Sequence, residues 1–269
     1  MKQFFCIYKQ RILSAVLIPF VTGLIFSFFT IGNTPECSLM LSFFRLFHYA
    51  NDIKSITPMV LTATPYLVLL CSLTGVFTDD LKIQATYCFS RKKNITNWYF
   101  SRIGLLSILS VICVVIFFTI GSVVIIIFSK DSVITLLSNV AIWKMLFLVS
   151  MYIFSFAFLI NTFSLVIKKK YIFPVTALII FIFSSLIPYS ATSENKILLI
   201  INPMVHINAE LHCDILPLSF LETIGDTDWS FLGISFQNSC IYFCIVGIIA
   251  FIVGILIVNH TDIAFKEED

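Results

Sequence analysis

The chain has 269 residues, of which 59% are hydrophobic and only 12% are charged, and its mean hydropathy is +1.00. A soluble domain is about a quarter charged, so this composition excludes an ordinary water-soluble globule and predicts a membrane protein. The formal net charge is only +2 and no solvated basic domain is present, so nucleic-acid binding is not expected.

Six apolar runs are each long enough to cross a bilayer, because about 20 helical residues span a roughly 30 Å hydrocarbon core. The runs are residues 12–31, 56–77, 103–128, 140–167, 171–189 and 236–258. The first run continues past the length of a signal-peptide core, so we expect it to remain as a span. The basic, aromatic residues 1–11 either lie flat at the interface or simply flank that span. The sequence therefore predicts one all-α, polytopic domain over residues 1–269.

Lysine and arginine are unevenly distributed between the segments that connect these runs. With the N-terminus inside, the predicted cytoplasmic segments hold three of the 17 before residue 12, five within 79–102, three at 168–170, and Lys266. The remaining five are on the predicted outer side, with Lys144 of the fourth span counted among them. The positive-inside rule therefore predicts that both termini are cytoplasmic and that the protein is a multi-pass protein of the cell membrane.

Residues 79–102, DDLKIQATYCFSRKKNITNWYFSR, form the longest polar interruption with a strong positive charge. Asp79 and Asp80 suit the positive N-terminal end of a helix. Four residues at helical spacing would share one face of that helix: Leu81, Gln84, Ala85 and Cys88. A short surface helix of this kind is suited to a groove on a cytoplasmic partner.

The basic run Arg91, Lys92 and Lys93 follows this predicted helix, and Asn94-Ile95-Thr96 is expected to end it before Trp98 returns the chain to the membrane interface. Two interpretations remain open from the residues alone. The segment is either a docking element for a partner or a solvated loop whose charges only fix the topology.

The stretch YCFSRKKNITNWYFSR between the second and third runs resembles a pattern of the type-2 ABC transporter permease family. The matching residues are Tyr87, Phe89, Ser90, Arg91, Lys92, Trp98 and Tyr99. A second resemblance is the pair Asn202-Pro203, followed by Met204, between the fifth and sixth runs. The predicted topology covers the whole chain, whereas both motifs are short.

The resemblance implies that residues 79–102 contain a coupling helix, that a separate ABC ATP-binding subunit docks on it, and that two permease chains pair. It also implies that ATP and magnesium are bound by the partner subunit. This chain has no GxxxxGK[ST], HExxH or GxSxG pattern, so we expect neither an enzyme nor a cofactor in it. Small permeases of this kind are similar to exporters of peptides, bacteriocins or other amphipathic molecules, or to proteins that give immunity to them.

The outer segment 190–235 contains the break at Asn202 and Pro203, which predicts half-helices that dip into the membrane from outside. It also contains His206 and His212. Six residues separate the two histidines, which is not one helical face, and no third ligand is fixed by spacing, so no metal site is expected. The acidic remainder of the segment either is a solvated loop or meets a cationic substrate.

Polar residues are rare inside the predicted spans. Lys144 lies near the outer end of the fourth span and can snorkel to the interface, while Asn161 is expected to bond a neighbouring helix. The competing function is an autonomous secondary carrier, or a membrane sensor or scaffold subunit without an ATPase partner. Ion-coupled carriers normally need ionisable groups inside the membrane, and their scarcity here argues against the carrier.

Overall fold

A computed structural model describes the main helical part of the chain. The described residues are 2–32, 56–78, 95–128, 140–166 and 196–208, then 234–260, with shorter pieces at 174–179, 182–183, 186, 212 and 214–215. Within these residues the regular structure is entirely helical and contains no strand, which confirms the all-α prediction for that part of the chain.

The helices follow one another in chain order with a short irregular segment before the last. They are α1 (Lys2–Gly32), α2 (Ile56–Ser72), α3 (Ile95–Phe128), α4 (Val140–Phe163), α5 (Lys196–Ile201), a 3-10 turn (Val205–Ile207) and α6 (Phe236–His260). Because α1 is continuous from Lys2, residues 2–11 extend the helix of the predicted first span, which favours the interpretation of this segment as a flank.

Three helical stretches among the described residues are long and apolar enough to cross a membrane: Thr96–Phe128, Val140–Phe163 and Phe236–Val258. The last of these coincides with the predicted sixth span. Two shorter apolar stretches, Ile12–Phe28 in α1 and Ala63–Ser72 in α2, accompany them. This agrees with a membrane-embedded protein, while the count of six spans and the side of each terminus stay predictions.

The second predicted span, residues 56–77, ends as a helix earlier than its apolar run. Helix α2 stops at Ser72 and the chain continues as a turn through Phe77. Gly75 in this turn has a φ of 80°, a left-handed conformation that glycine adopts without the steric penalty of a Cβ atom. The hydropathy pattern does not reveal this end, because residues 73–77 are as apolar as the helix before them.

The third predicted span begins earlier than expected, at Ile95 rather than at residue 103. Arg102 was expected at the end of the cytoplasmic loop, but it lies inside α3 with only 4% of its side chain exposed. The polar residues of this first part of α3 share the helix with Tyr99, which is fully buried. Residues 95–102 have the aromatic and polar composition typical of a membrane interface. Packing of Tyr99 into the core nevertheless favours a helix there.

Close contacts between α1 and α3 and between α4 and α6 organise the bundle. A Cβ atom at Gly23 of α1 would lie 2.9 Å from the Phe117 carbonyl oxygen of α3, so these two backbones approach as only a glycine allows. In α4, the Ser155 hydroxyl donates a 3.0 Å hydrogen bond to the Phe243 carbonyl oxygen of α6.

The outer face of α6 is apolar and exposed from Ile241 to Leu256. Its exposed residues include Ile241, Ile245, Ile248, Ile252 and Leu256, each with about half of its side-chain surface uncovered. A contiguous apolar stripe of this kind is unfavourable in water and suits contact with lipid chains. The described helices therefore have the lipid-facing surface that the composition predicts.

Candidate functional site

The residues predicted to dock a partner lie outside the part of the chain that the structure describes. They are Asp79, Asp80, Leu81, Gln84, Tyr87, Phe89, Arg91, Lys92 and Lys93. Of the predicted segment 79–102, residues 95–102 are described as the start of α3, and residues 56–78 before it are described as well. We call the remaining residues 79–94 the docking segment. The residues that the structure describes next to the docking segment are those at its two ends.

Both ends of the docking segment meet in one cluster of rings, which we call the aromatic base: Phe77, Trp98, Tyr99, Phe158 and Phe251. The ring centroid of Phe77 lies 6.3 Å from that of Trp98 and 5.6 Å from that of Tyr99, both in edge-on geometry. Aromatic pairs at these separations attract each other beyond their buried area. The chain thus enters and leaves the docking segment at the same packed point.

The aromatic base extends into two further helices. Phe158 of α4 lies 6.1 Å from Phe77 and 6.2 Å from Tyr99 between ring centroids, and Phe251 of α6 stacks on Tyr99 at 6.4 Å. Because Phe77 and Tyr99 are fully buried, a displacement of either end of the docking segment has to move rings that belong to α4 and α6.

Asn161 of α4 holds the turn that leads from α2 to the docking segment. Its Nδ2 atom donates hydrogen bonds of 2.8 Å to the carbonyl oxygens of Leu73 and Ala157. Its Oδ1 atom accepts a longer one, of 3.4 Å, from the backbone N–H of Phe77. Asn161 is fully buried. It therefore satisfies backbone groups that the end of α2 leaves without a helical partner. Asn161 was expected to bond a neighbouring helix, and its partners outside α4 lie in the turn that follows α2.

Asn202 and Pro203, the predicted break of the outer segment, directly follow α5, which ends at Ile201. The Asn202 Nδ2 atom donates a 2.7 Å hydrogen bond to the Phe183 carbonyl oxygen, and its Oδ1 atom accepts one of 3.0 Å from the backbone N–H of Met204. Met204 in turn accepts a hydrogen bond at its sulfur from the Tyr152 hydroxyl of α4, at 3.5 Å. The break is thus tied to the bundle by buried polar contacts.

The turn after this break brings His206 against α6. The Nε2 atom of His206 lies 2.7 Å from the Ile200 carbonyl oxygen, and its Nδ1 atom lies 2.9 Å from the Ser239 hydroxyl oxygen. The imidazole also stacks on the ring of Tyr242, with centroids 4.2 Å apart and planes inclined by 18°. Every polar edge of this histidine is therefore occupied.

His212 reaches the same serine from the other side. Its Nδ1 atom lies 2.7 Å from the Asn208 carbonyl oxygen and its Nε2 atom lies 2.8 Å from the Ser239 hydroxyl oxygen. His206, His212 and Ser239 are all buried, and the Ser239 side chain has no exposed surface. We call these three residues the histidine–serine cluster.

Burial governs the protonation of both histidines. Removal from water lowers the pKa of His206, although its hydrogen bond to the Ile200 carbonyl oxygen opposes this. Burial lowers the pKa of His212 to about 4, with the Asn208 carbonyl oxygen acting in the opposite direction and the neighbouring His206 adding to the decrease. A buried imidazole disfavours its charged form because the apolar surroundings solvate charge poorly.

Two charged residues border the cluster. Both carboxylate oxygens of Asp214 accept hydrogen bonds from the backbone N–H of Phe236, at 2.9 and 3.1 Å, so this carboxylate lies at the positive N-terminal end of α6. Lys144 of α4 donates a 2.9 Å hydrogen bond to the Asp214 backbone carbonyl oxygen, and its ammonium group lies 5.6 Å from the centre of the Phe236 ring. Lys144 thus ties α4 to the segment before α6.

The sequence did not identify the histidine–serine cluster. The two histidines were considered together, with Asp214, only as a possible metal site, which their spacing of six residues did not favour. Ser239, from another part of the chain, joins them. The signal in the sequence that points to this cluster is the hydroxyl of Ser239 near the start of the predicted sixth span. Among the described residues no group of three or more His, Cys, Asp or Glu side chains is arranged to hold a metal ion.

Comparisons of the chain with protein-family models, with curated proteins and with solved structures give no match. The resemblance to the permease family is therefore carried by the sequence motifs alone.

Proposed function

We propose that this chain is the membrane-spanning permease subunit of an ATP-driven ABC transporter. In this proposal the chain has six spans, with both termini in the cytoplasm of a cell whose plasma membrane holds it. Two permease chains, identical or related, pair with each other and rest on two ABC ATP-binding subunits. Those subunits bind ATP and magnesium, and this chain hydrolyses nothing.

The observation that carries the proposal is the aromatic base, in which residues from both sides of the segment 79–94 meet. A coupling element must be mobile enough to follow its ATPase and must still transmit force to the spans. Both ends of the basic segment enter one buried ring cluster that includes residues of α4 and α6. Asn161 fixes the adjoining turn to α4. This arrangement gives a movement of the docking segment a direct mechanical route into the bundle.

The proposed cycle needs a difference between two states. Closure of the ATP-bound partner would displace the docking segment, and the aromatic base would pass that displacement to α3, α4 and α6. ATP can shift the equilibrium between inward and outward access only as far as the partner contacts the two states differently. The proposed substrate is a peptide, bacteriocin or other amphipathic molecule, which the chain exports or against which it gives immunity.

A second candidate is an autonomous proton-linked carrier, or a membrane sensor or scaffold subunit. The histidine–serine cluster is the specific observation that favours it, because ionisable groups buried in a membrane protein commonly mark proton pathways. Such a protein needs no ATPase partner. The experiment below distinguishes it from the permease.

The test is recovery of an ABC ATP-binding subunit with the full-length chain from its own cells in mild detergent. Replacement of Arg91, Lys92 and Lys93 by alanine is expected to lower this recovery about tenfold or more, because the proposal makes these three cations contacts of the partner and the variant removes them together. Recovery is measured by mass spectrometry of the ATP-binding subunit and by the ATPase activity of the purified complex.

The matched control replaces Lys168, Lys169 and Lys170 by alanine. This variant removes the same charge from the same predicted side of the membrane, and it is expected to retain the ATPase. If both triple variants lose the ATP-binding subunit equally, the charges of the docking segment do not bind the partner specifically and only fix the topology. Absence of an ATP-binding subunit from the unaltered chain would favour the autonomous protein.

A further inference from the structure

We propose that the histidine–serine cluster is a binding site for a single proton, which His206 and His212 share through the Ser239 hydroxyl. The proposal rests on the number of hydrogens that the observed contacts require. It goes beyond the transport function and holds whether or not an ATPase partner is present.

The outer nitrogen of each imidazole fixes the position of one hydrogen. The Nε2 atom of His206 and the Nδ1 atom of His212 each face a backbone carbonyl oxygen at 2.7 Å. A carbonyl oxygen can only accept, so each of these nitrogens must carry the hydrogen. In the neutral state the two inner nitrogens, Nδ1 of His206 and Nε2 of His212, are then both acceptors.

The two inner nitrogens converge on one hydroxyl. Ser239 lies 2.9 Å from the inner nitrogen of His206 and 2.8 Å from that of His212. A hydroxyl group has one hydrogen, so it can donate to one of the two rings only. With both rings neutral, the other inner nitrogen points a lone pair at the serine oxygen. If either ring adopts the other tautomer, its outer nitrogen becomes an acceptor and faces the carbonyl oxygen of Ile200 or Asn208, which can also only accept.

One added proton removes the conflict. If His212 is the imidazolium, its inner N–H donates to the Ser239 oxygen, and the Ser239 hydroxyl donates to the inner nitrogen of His206. Transfer then moves the His212 proton onto the serine oxygen while the serine proton moves to His206. The O–H and N–H bonds broken equal those formed, and the site keeps one positive charge throughout. Charge-assisted hydrogen bonds of this kind are stronger than neutral ones.

A second proton is disfavoured by the surroundings. Two imidazolium rings on one serine would be like charges buried side by side. From α4, Lys144 opposes positive charge on His212, whereas Asp214 favours it. Among the described residues, the other titratable side chains around the cluster are hydroxyl or thiol groups: Tyr152 of α4, and Cys240 and Tyr242 of α6. The ring of Tyr242, stacked on His206, favours one cation there.

The test is nuclear magnetic resonance of the full-length chain with ¹⁵N-labelled histidine in detergent micelles, titrated from pH 8 to about pH 2.5. The chain has four histidines, and replacement of His48 and His260 by glutamine leaves the signals of the cluster alone. We expect His206 and His212 to titrate with one common midpoint and to gain one proton in total.

The Ser239→Ala variant removes the shared oxygen. It is expected to lower the midpoint by about one pH unit or more, because a buried imidazolium N–H loses its acceptor. If this variant does not fold, the number of protons that the unaltered chain takes up still tests whether the cluster binds a single shared proton. The proposal is overturned if the two rings gain two protons over this pH range, if they gain none, or if their midpoints are separate. It is also overturned if micromolar Zn²⁺ shifts both rings, since the cluster would then be a metal site.

Discussion

Replacement of Gly254 by alanine is expected to destabilise the folded chain by roughly 1–3 kcal/mol, the usual cost of overpacking a filled core. A Cβ atom at this position of α6 would lie 2.5 Å from the Tyr99 Cζ atom and would overlap the Tyr99 hydroxyl oxygen. Tyr99 cannot move aside, because it is fully buried and the rings of Phe77, Phe158 and Phe251 surround it.

The matched control is Gly247→Ala in the same helix. A Cβ atom there meets only the Ser155 hydroxyl oxygen, at 3.8 Å, which is an ordinary contact. This variant should be neutral or more stable by up to about 1 kcal/mol, because alanine favours a helix over glycine. Thermal unfolding of both purified variants in one detergent measures the difference. Equal melting temperatures for the two variants would contradict the close fit of Tyr99 against α6.

Replacement of Asn161 by alanine is expected to have the second large effect on stability. The Leu73 carbonyl oxygen and the Phe77 N–H would lose the side chain that now bonds them. Each buried polar group that is left without a partner costs roughly 1–3 kcal/mol. The loss of stability should affect the turn at residues 73–78 as well as the whole fold. We therefore expect faster amide hydrogen exchange in residues 73–78, together with a lower melting temperature.

Ser150→Ala in the same helix is the control for this variant. The Ser150 hydroxyl donates to the Leu146 carbonyl oxygen one turn earlier in α4, so its removal breaks a bond within one helix only. Exchange in residues 73–78 should stay unchanged in this control. If Asn161→Ala leaves the same exchange rates as Ser150→Ala, the side chain does not hold the turn before the docking segment.

The apolar runs predicted the helices well wherever an element is both long and uniform. The predicted sixth span and the apolar part of α6 share the bounds 236–258, because residues 240–258 form a continuous apolar run that ends at Asn259. The start of α3 and the end of α2 were placed less well. Trp98 and Tyr99 are residue types typical of a membrane interface, but in the structure they pack against the core. Helix α2 ends at Ser72, within an apolar sequence, and the turn that follows contains Gly75.

The candidate sites were predictable only in part. Asn161 stood out because an amide inside an apolar helix needs a partner. The cluster of His206, His212 and Ser239 did not stand out, since its geometry depends on the fold of α5 and the turn that follows it. Spacing along the chain carries information within one helix, but it does not report which distant residue lies between two side chains.

The side of the membrane that holds residues 79–94 tests the central claim most directly. Cys88 lies in this segment, and a variant that keeps it while the other seven cysteines are replaced by serine gives a single label site. We expect a membrane-impermeant maleimide to label Cys88 in inside-out vesicles and to leave it unlabelled in intact cells. Labelling in intact cells would place the basic segment outside, where no ATP-binding subunit could reach it, and would contradict the proposed function.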